Sequence, residues 1–60
     1  MASILPKDPV MLLSYVNTQL RDYYSTLEEL CGALGADQDE LVRKLAGIDY
    51  SYNVQKNQFI

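Results

Sequence analysis

Apolar residues recur at spacings of three and four along the first half of the chain, which is the repeat of an amphipathic helix. The positions are Leu13, Val16, Leu20 and Tyr23, and Leu12 and Tyr24 widen the stripe. Asp8 followed by Pro9 is a typical helix start, because aspartate caps the first turn and proline has no N–H to lose there. The pattern predicts a first helix over about residues 9–24.

A second helix is predicted over residues 25–34. Ser25 and Glu28 have the spacing of a capping box, and a glycine, Gly35, stands where a helix can end in the left-handed conformation. Between them, one apolar face is formed by Leu27, Leu30, Cys31 and Leu34.

A third helix is predicted over residues 38–46, because Asp37 and Glu40 repeat the capping spacing and Gly47 provides a stop. Its inward positions are Leu41, Val42 and Leu45, followed by Ile48. The short turn around Gly35 makes the second and third helices similar to a helix-turn-helix.

The repeat changes after Gly47. Ile48, Tyr50 and Tyr52 alternate with polar residues, which is typical of a half-buried strand. Residues 53–60 either return as a second strand or form an irregular tail. The predicted fold is mainly α, with three helices plus a C-terminal strand or short β-hairpin over 48–60, like a small winged helix, in one domain spanning 1–60.

Sixty residues form a small core, and such domains usually need an additional source of stability. A single cysteine excludes an internal disulfide, and without histidine no structural zinc site is expected. We therefore expect no metal and no cofactor. The longest apolar run, Val10–Leu13, is too short for a membrane span, and a lone reduced cysteine fits a cytoplasmic protein.

Exposed residues on the third helix suggest one function, DNA binding of the helix-turn-helix type. The candidate contacts are Gln38, Arg43 and Lys44, with Lys56 on the wing. Charge argues against this function, because the net charge is −3 and residues 25–49 contain six acidic residues and two basic ones. DNA binding is therefore the alternative interpretation.

The whole chain resembles a family of short bacterial proteins known as domain of unknown function 4250. The motifs that carry the resemblance are LPKDP at 5–9, LLS at 12–14, VN at 16–17, LRD at 20–22 and NQF at 57–59. The resemblance implies a free-standing, single-domain cytoplasmic protein without an assigned activity. Many members have glycine before the first strand tyrosine, where this chain has Asp49.

Several other candidate sites have structural interpretations that we favour. Pro6 and Pro9 form a P-x-x-P motif, which is more consistent with helix entry than with an SH3-type ligand. Cys31 has no histidine to activate it, so it is expected to be a buried small residue. The acids around Asp37 lack the remaining ligands of a calcium site. The polar strip beside Asn17 and Arg21 is expected to orient the chain near Asn57 rather than to bind a ligand.

Tyrosine is the feature that points to a function. Five of the six aromatic residues are tyrosines, and a core this small cannot enclose so many rings and satisfy each hydroxyl. Aromatic residues with a polar tip are enriched at protein interfaces. We therefore expect a non-catalytic interaction module that forms a homodimer, or that binds another protein, and no enzyme. The predicted interface consists of Leu12, Tyr15, Tyr23, Tyr50, Tyr52 and Phe59.

Overall fold

The computed structural model describes residues 5–60, which form three helices followed by a β-hairpin. The elements are α1 (Pro9–Asp22), α2 (Leu27–Leu34), α3 (Gln38–Ala46), β1 (Tyr52–Asn53) and β2 (Gln58–Phe59). The strands are antiparallel, with Tyr52 opposite Phe59. The predicted mainly helical fold is confirmed, and its carboxyl end is a hairpin rather than an irregular tail. Residues 1–4 of the predicted domain lie outside the described range.

Helix α1 starts as predicted, because the Asp8 carboxylate accepts a hydrogen bond from the Met11 N–H (3.1 Å). The helix ends two residues before the predicted end. Tyr23 is its C-cap, and the Asn57 side chain donates to the carbonyls of Leu20 (3.2 Å) and Tyr24 (2.9 Å). A residue distant in sequence therefore satisfies carbonyls at this helix end, where the helix leaves them unpaired.

Helix α2 begins two residues later than predicted, and its N-cap is Thr26 rather than the expected Ser25. The Thr26 hydroxyl accepts from the Glu29 N–H (3.0 Å), and the Glu29 carboxylate accepts from the N–H (3.0 Å) and the hydroxyl (2.7 Å) of Ser25. The predicted pairing of Ser25 with Glu28 is wrong, because a capping arrangement one residue further along is the one that forms.

Helix α3 has the predicted bounds. Gly35 adopts the left-handed conformation at φ 65°, which glycine reaches without a Cβ clash, and the Ala36 N–H closes the end of α2 on the Cys31 carbonyl (2.9 Å). Asp37 then caps α3 by accepting from the Glu40 N–H (3.2 Å). The turn between α2 and α3 is therefore built from local signals.

The strand begins later than the alternation of residues predicts. Ile48 and Asp49 belong to a turn after α3, and the N–H of Tyr50 donates to the Leu45 carbonyl (2.9 Å). Asp49 has φ 67°, a left-handed conformation that side chains disfavour. The predicted strand start at Ile48 is wrong, because the chain must reverse direction there to pass back over the helices.

The core is one cluster to which all three helices and β2 contribute. Its largest fully buried side chain is Phe59, at 1 % exposure, so the hairpin is part of the core rather than an attachment to it. The buried residues are Leu12, Val16, Leu20, Leu27, Leu30, Cys31, Leu41, Leu45 and Phe59.

Candidate functional site

The residues predicted to form an interface divide into three groups in the structure. Tyr23 and Tyr50 are exposed, at 71 % and 37 % respectively. Tyr15 and Tyr52 are half-buried and pack against the core. Leu12 and Phe59 are fully buried, so the prediction that they face a second protein is wrong. Their side chains complete the core, because α1 and β2 pack directly on each other.

Tyr52 has a structural task that its position in the alternating pattern does not reveal. Its hydroxyl accepts from the Leu27 N–H (3.2 Å) and donates to the Asn57 side-chain oxygen (2.5 Å). The ring also packs against Phe59 at a centroid distance of 5.5 Å. Tyr52 therefore ties the hairpin to the first turn of α2, where an unpaired N–H needs a partner.

Asn17 fastens the outer side of β2 to α1. Its side-chain nitrogen donates to the Phe59 carbonyl (3.1 Å), and its side-chain oxygen accepts from the Phe59 N–H (2.8 Å). The amide thereby imitates the peptide group of a neighbouring strand. Within the polar strip on α1, Asn17 thus has the structural role predicted from the sequence, whereas the guanidinium of Arg21 bonds Asp22.

The two edges of the hairpin consequently differ. Ser51 and Ile60 exchange two backbone hydrogen bonds, of 3.0 and 2.9 Å, so they are a hydrogen-bonded pair of the ladder. Hydrogen-bonded and non-hydrogen-bonded residue pairs alternate along an antiparallel ladder. The next pair, Tyr52 and Phe59, is therefore non-hydrogen-bonded, and its backbone N–H and C=O groups point away from the other strand. The side chain of Asn17 forms hydrogen bonds with the outward N–H and C=O of Phe59. Those of Tyr52 have no partner among residues 5–60, which leaves β1 with an open edge.

Exposed apolar side chains flank this edge. Val54, in the turn after β1, is 77 % exposed, and Tyr50, before β1, is exposed on its other side. Val54 could not be predicted from the sequence, because a single valine in a polar turn has no periodic signal. The remaining exposed large hydrophobic residues in the described part of the chain are Val10, Met11, Tyr23 and Ile60.

The residues predicted to contact nucleic acid do not share one surface feature. All four, Gln38, Arg43, Lys44 and Lys56, are exposed, but Lys44 pairs with Glu40 of its own helix (3.6 Å). Lys56 lines a polar groove of about 490 Å³ whose other residues come from α1 and the hairpin. Lys44 lines a different groove, of about 520 Å³, beside the turn between α2 and α3.

Acidic groups dominate the start of α3. Asp37 at the N-cap and Asp39 and Glu40 in the first turn are exposed, and carboxylates there interact favourably with the helix dipole. Between residues 5 and 60, no three potential metal-ligating side chains are grouped closely enough to hold an ion. Because the three carboxylates are negatively charged and exposed, they oppose the approach of a phosphate backbone to this end of α3.

Arg21 is the other cation beside the polar groove, and its charge is already paired. Its guanidinium donates two hydrogen bonds to the Asp22 carboxylate (2.9 and 3.1 Å). These bonds lower the pKa of Asp22 and raise the pKa of Arg21. Both side chains are exposed, so the pair contributes little to stability.

Cys31 is buried and is a free thiol. Burial raises its pKa, and the charge of Asp37 acts in the same direction. Because the thiolate is the nucleophilic form, these surroundings suppress the reactivity of Cys31. The cysteine is therefore suited to packing, as its place on the apolar face of α2 indicates.

Comparison with known protein families gives a match over nearly the whole chain. The model of a family described as "Domain of unknown function (DUF4250)" matches residues 6–59. No curated protein and no solved structure matches the chain significantly. Among the described residues, none of the helices combines the length and the apolar character required to cross a bilayer.

Proposed function

The chain belongs to the DUF4250 family, whose function is unknown, and from this premise we propose that it is a small, non-catalytic protein-interaction module that self-associates as a homodimer. The observation that carries the proposal is the concentration of exposed apolar side chains on the hairpin segment. Tyr50, Val54 and Ile60 are all exposed within eleven residues. Exposed apolar groups that cluster in this way are typical of interaction surfaces.

Several features support a non-catalytic role. The sequence contains no histidine, and its one cysteine is buried with a raised pKa. A nucleophile with an adjacent base is the usual requirement for covalent catalysis. We also propose a cytoplasmic location, which is supported by a single unpaired cysteine in a small domain.

Sedimentation velocity over a wide concentration range tests self-association. We expect a dimer that dissociates on dilution, because the exposed apolar side chains of the hairpin segment are few and small interfaces are usually weak. Circular dichroism at the lowest concentration shows whether the separated subunit stays folded. A folded monomer at every concentration up to the millimolar range contradicts the homodimer.

DNA binding is a second candidate, because α2 and α3 have the order of a helix-turn-helix and expose Gln38, Arg43 and Lys44. We expect no binding, since the acids of the first turn of α3 would meet the phosphates. A mobility-shift assay with random duplex at low salt tests this expectation. Retardation that is lost in the double variant Arg43→Ala, Lys44→Ala would establish the nucleic-acid function instead.

A further inference from the structure

We propose that two copies of the chain join through the open edge of β1, with the two β1 strands antiparallel, so that the two hairpins form one four-stranded sheet. This inference rests on the proposed self-association and specifies its surface. The outward N–H and C=O groups of Tyr52 in one copy would bond those of Tyr52 in the other. A two-fold axis would then pass beside this residue.

The state of the two hairpin edges favours a second copy as the occupant. An unpaired strand edge is a template for another strand. In this hairpin the β2 edge is closed by Asn17, which bonds both backbone groups of Phe59, and the β1 edge is open. Because each copy has one open edge, pairing β1 with β1 closes both edges and leaves no site for a third copy. The result is a closed dimer rather than a fibre.

Side chains on the two sides of Tyr52 complement one another in this arrangement. A two-fold axis at Tyr52 places Tyr50 of each copy opposite Val54 of the other, and both side chains are exposed in the single chain. Cross-strand pairs of an aromatic and a β-branched residue stabilise antiparallel sheets. The pairing therefore covers two exposed apolar groups on each copy.

Charges at the ends of the edge are also complementary. Asp49 precedes β1 and Lys56 follows it, and both are exposed. Antiparallel pairing brings the acidic end of one edge towards the basic end of the other. Opposite charges placed in this way favour the antiparallel alignment over the parallel one.

A matched pair of substitutions tests the surface. Val54→Lys places a charge at the proposed contact, and Val10→Lys places the same charge on another exposed valine, at the start of α1. Sedimentation velocity should show that V54K raises the dimer dissociation constant about tenfold or more, whereas V10K leaves it unchanged. Equal affinity of the two variants overturns the proposal.

Amide hydrogen exchange gives a second readout that does not depend on a variant. The Phe59 N–H is bonded to Asn17 in the single chain and should exchange slowly at every concentration. The Tyr52 N–H should exchange rapidly in dilute solution and on the order of tenfold more slowly when the dimer is populated. Protection of Tyr52 that follows the dimer fraction supports the proposed edge.

The two experiments separate this inference from the proposed function. If the chain dimerises while the Tyr52 amide remains unprotected, self-association stands and the β1 edge is not its surface. If the chain stays monomeric and the Tyr52 amide becomes protected only when a different protein is added, the edge binds a foreign strand and both the homodimer and this inference are overturned. A monomer without any such protection also overturns both.

Discussion

Two asparagine side chains attach the hairpin to α1. Asn17 bonds both backbone groups of Phe59, and Asn57 donates to the carbonyls of Leu20 and Tyr24 while accepting from the Tyr52 hydroxyl. Amides suit this position because each offers donors and an acceptor without a charge that must be buried. Polar side chains thus join two segments that are remote in sequence.

Removing the Asn17 amide should therefore be costly. Asn17→Ala leaves the N–H and C=O of Phe59 without partners beside the core, and we expect a loss of about 1–3 kcal/mol of stability. Urea denaturation provides the measurement. Thr18→Ala is the control, because its exposed hydroxyl bonds only the Ser14 carbonyl of the same helix, and its effect should stay within about 0.5 kcal/mol. Similar losses of stability in both variants would mean that the hydrogen bonds from Asn17 to Phe59 contribute nothing beyond the effect of a substitution within α1.

Asp49 is the second residue at which one substitution is informative. Its φ of 67° disfavours any residue with a Cβ. We expect Asp49→Gly to stabilise the protein by up to about 1 kcal/mol. Asp39→Gly, in the regular first turn of α3, should instead destabilise it by about 0.5 kcal/mol or more. Thermal unfolding should show a higher melting temperature for D49G than for the wild type and a lower one for D39G. A change in the same direction in both variants would contradict this prediction.

At the start of α2, the sequence offers two possible N-caps, and a tertiary contact decides between them. Ser25 with Glu28 and Thr26 with Glu29 have the same spacing, and the local sequence favours neither pairing. The hydroxyl of Tyr52 accepts from the Leu27 N–H, and Leu27 is buried. This contact with the hairpin places Leu27 in the first turn and Thr26 at the cap.

The same cap predicts a dependence of stability on pH. The hydrogen bond from the Ser25 hydroxyl, with that from the Ser25 N–H, lowers the pKa of Glu29 below its ordinary value of 4.5. A lowered pKa in the folded state means that this stabilisation is present above the unfolded value and is lost as pH falls through the folded one. Glu29→Gln should therefore lose less stability than the wild type between about pH 5 and about pH 3.

Unfolding by urea at several pH values measures this difference. Glu28→Gln is the matched control, because Glu28 lies on the same exposed turn and the cap hydrogen bonds are made by Glu29. The E28Q variant should keep the acid dependence of the wild type. An unchanged dependence in E29Q would show that Glu29 contributes no cap in solution.

At the scale of the whole molecule, we expect the hairpin to be required for a stable fold. Phe59 is enclosed by the helices at 1 % exposure, whereas the terminal Ile60 is 47 % exposed. A chain of this length typically has a total stability of roughly 3–9 kcal/mol. One buried aromatic side chain can therefore account for a large part of it.

Phe59→Ala should cost about 3–5 kcal/mol of stability. At the lower end of the range of total stability, this loss unfolds most of the protein at room temperature. Ile60→Ala should leave the fold intact, because about half of this residue is already exposed to water. Far-UV circular dichroism, followed during urea titration, distinguishes the two variants. Retention of full helical signal and a cooperative transition in F59A would show that the three helices form a stable unit without the hairpin.

The open edge of β1 could not be inferred from residue types. Tyr52 is in an alternating segment that predicts a strand, but which of its two edges is free depends on the pairing with β2 and on Asn17. Tertiary packing also decides which of the residues predicted to form an interface are exposed and which are buried. Tyr23 and Phe59 are both aromatic residues near an element end, and only packing makes one exposed and the other buried.

Helix formation depends on contacts between residues three or four positions apart, and these are visible in the order of residues. For this reason the three helices, the Asp8 and Asp37 caps and the left-handed Gly35 follow from local patterns. The choice of Thr26 as a cap, the late start of β1, the burial of Phe59 and the unpaired edge at Tyr52 arise from contacts between distant segments. Such contacts exist only after the chain has folded, and they place the candidate interaction surface.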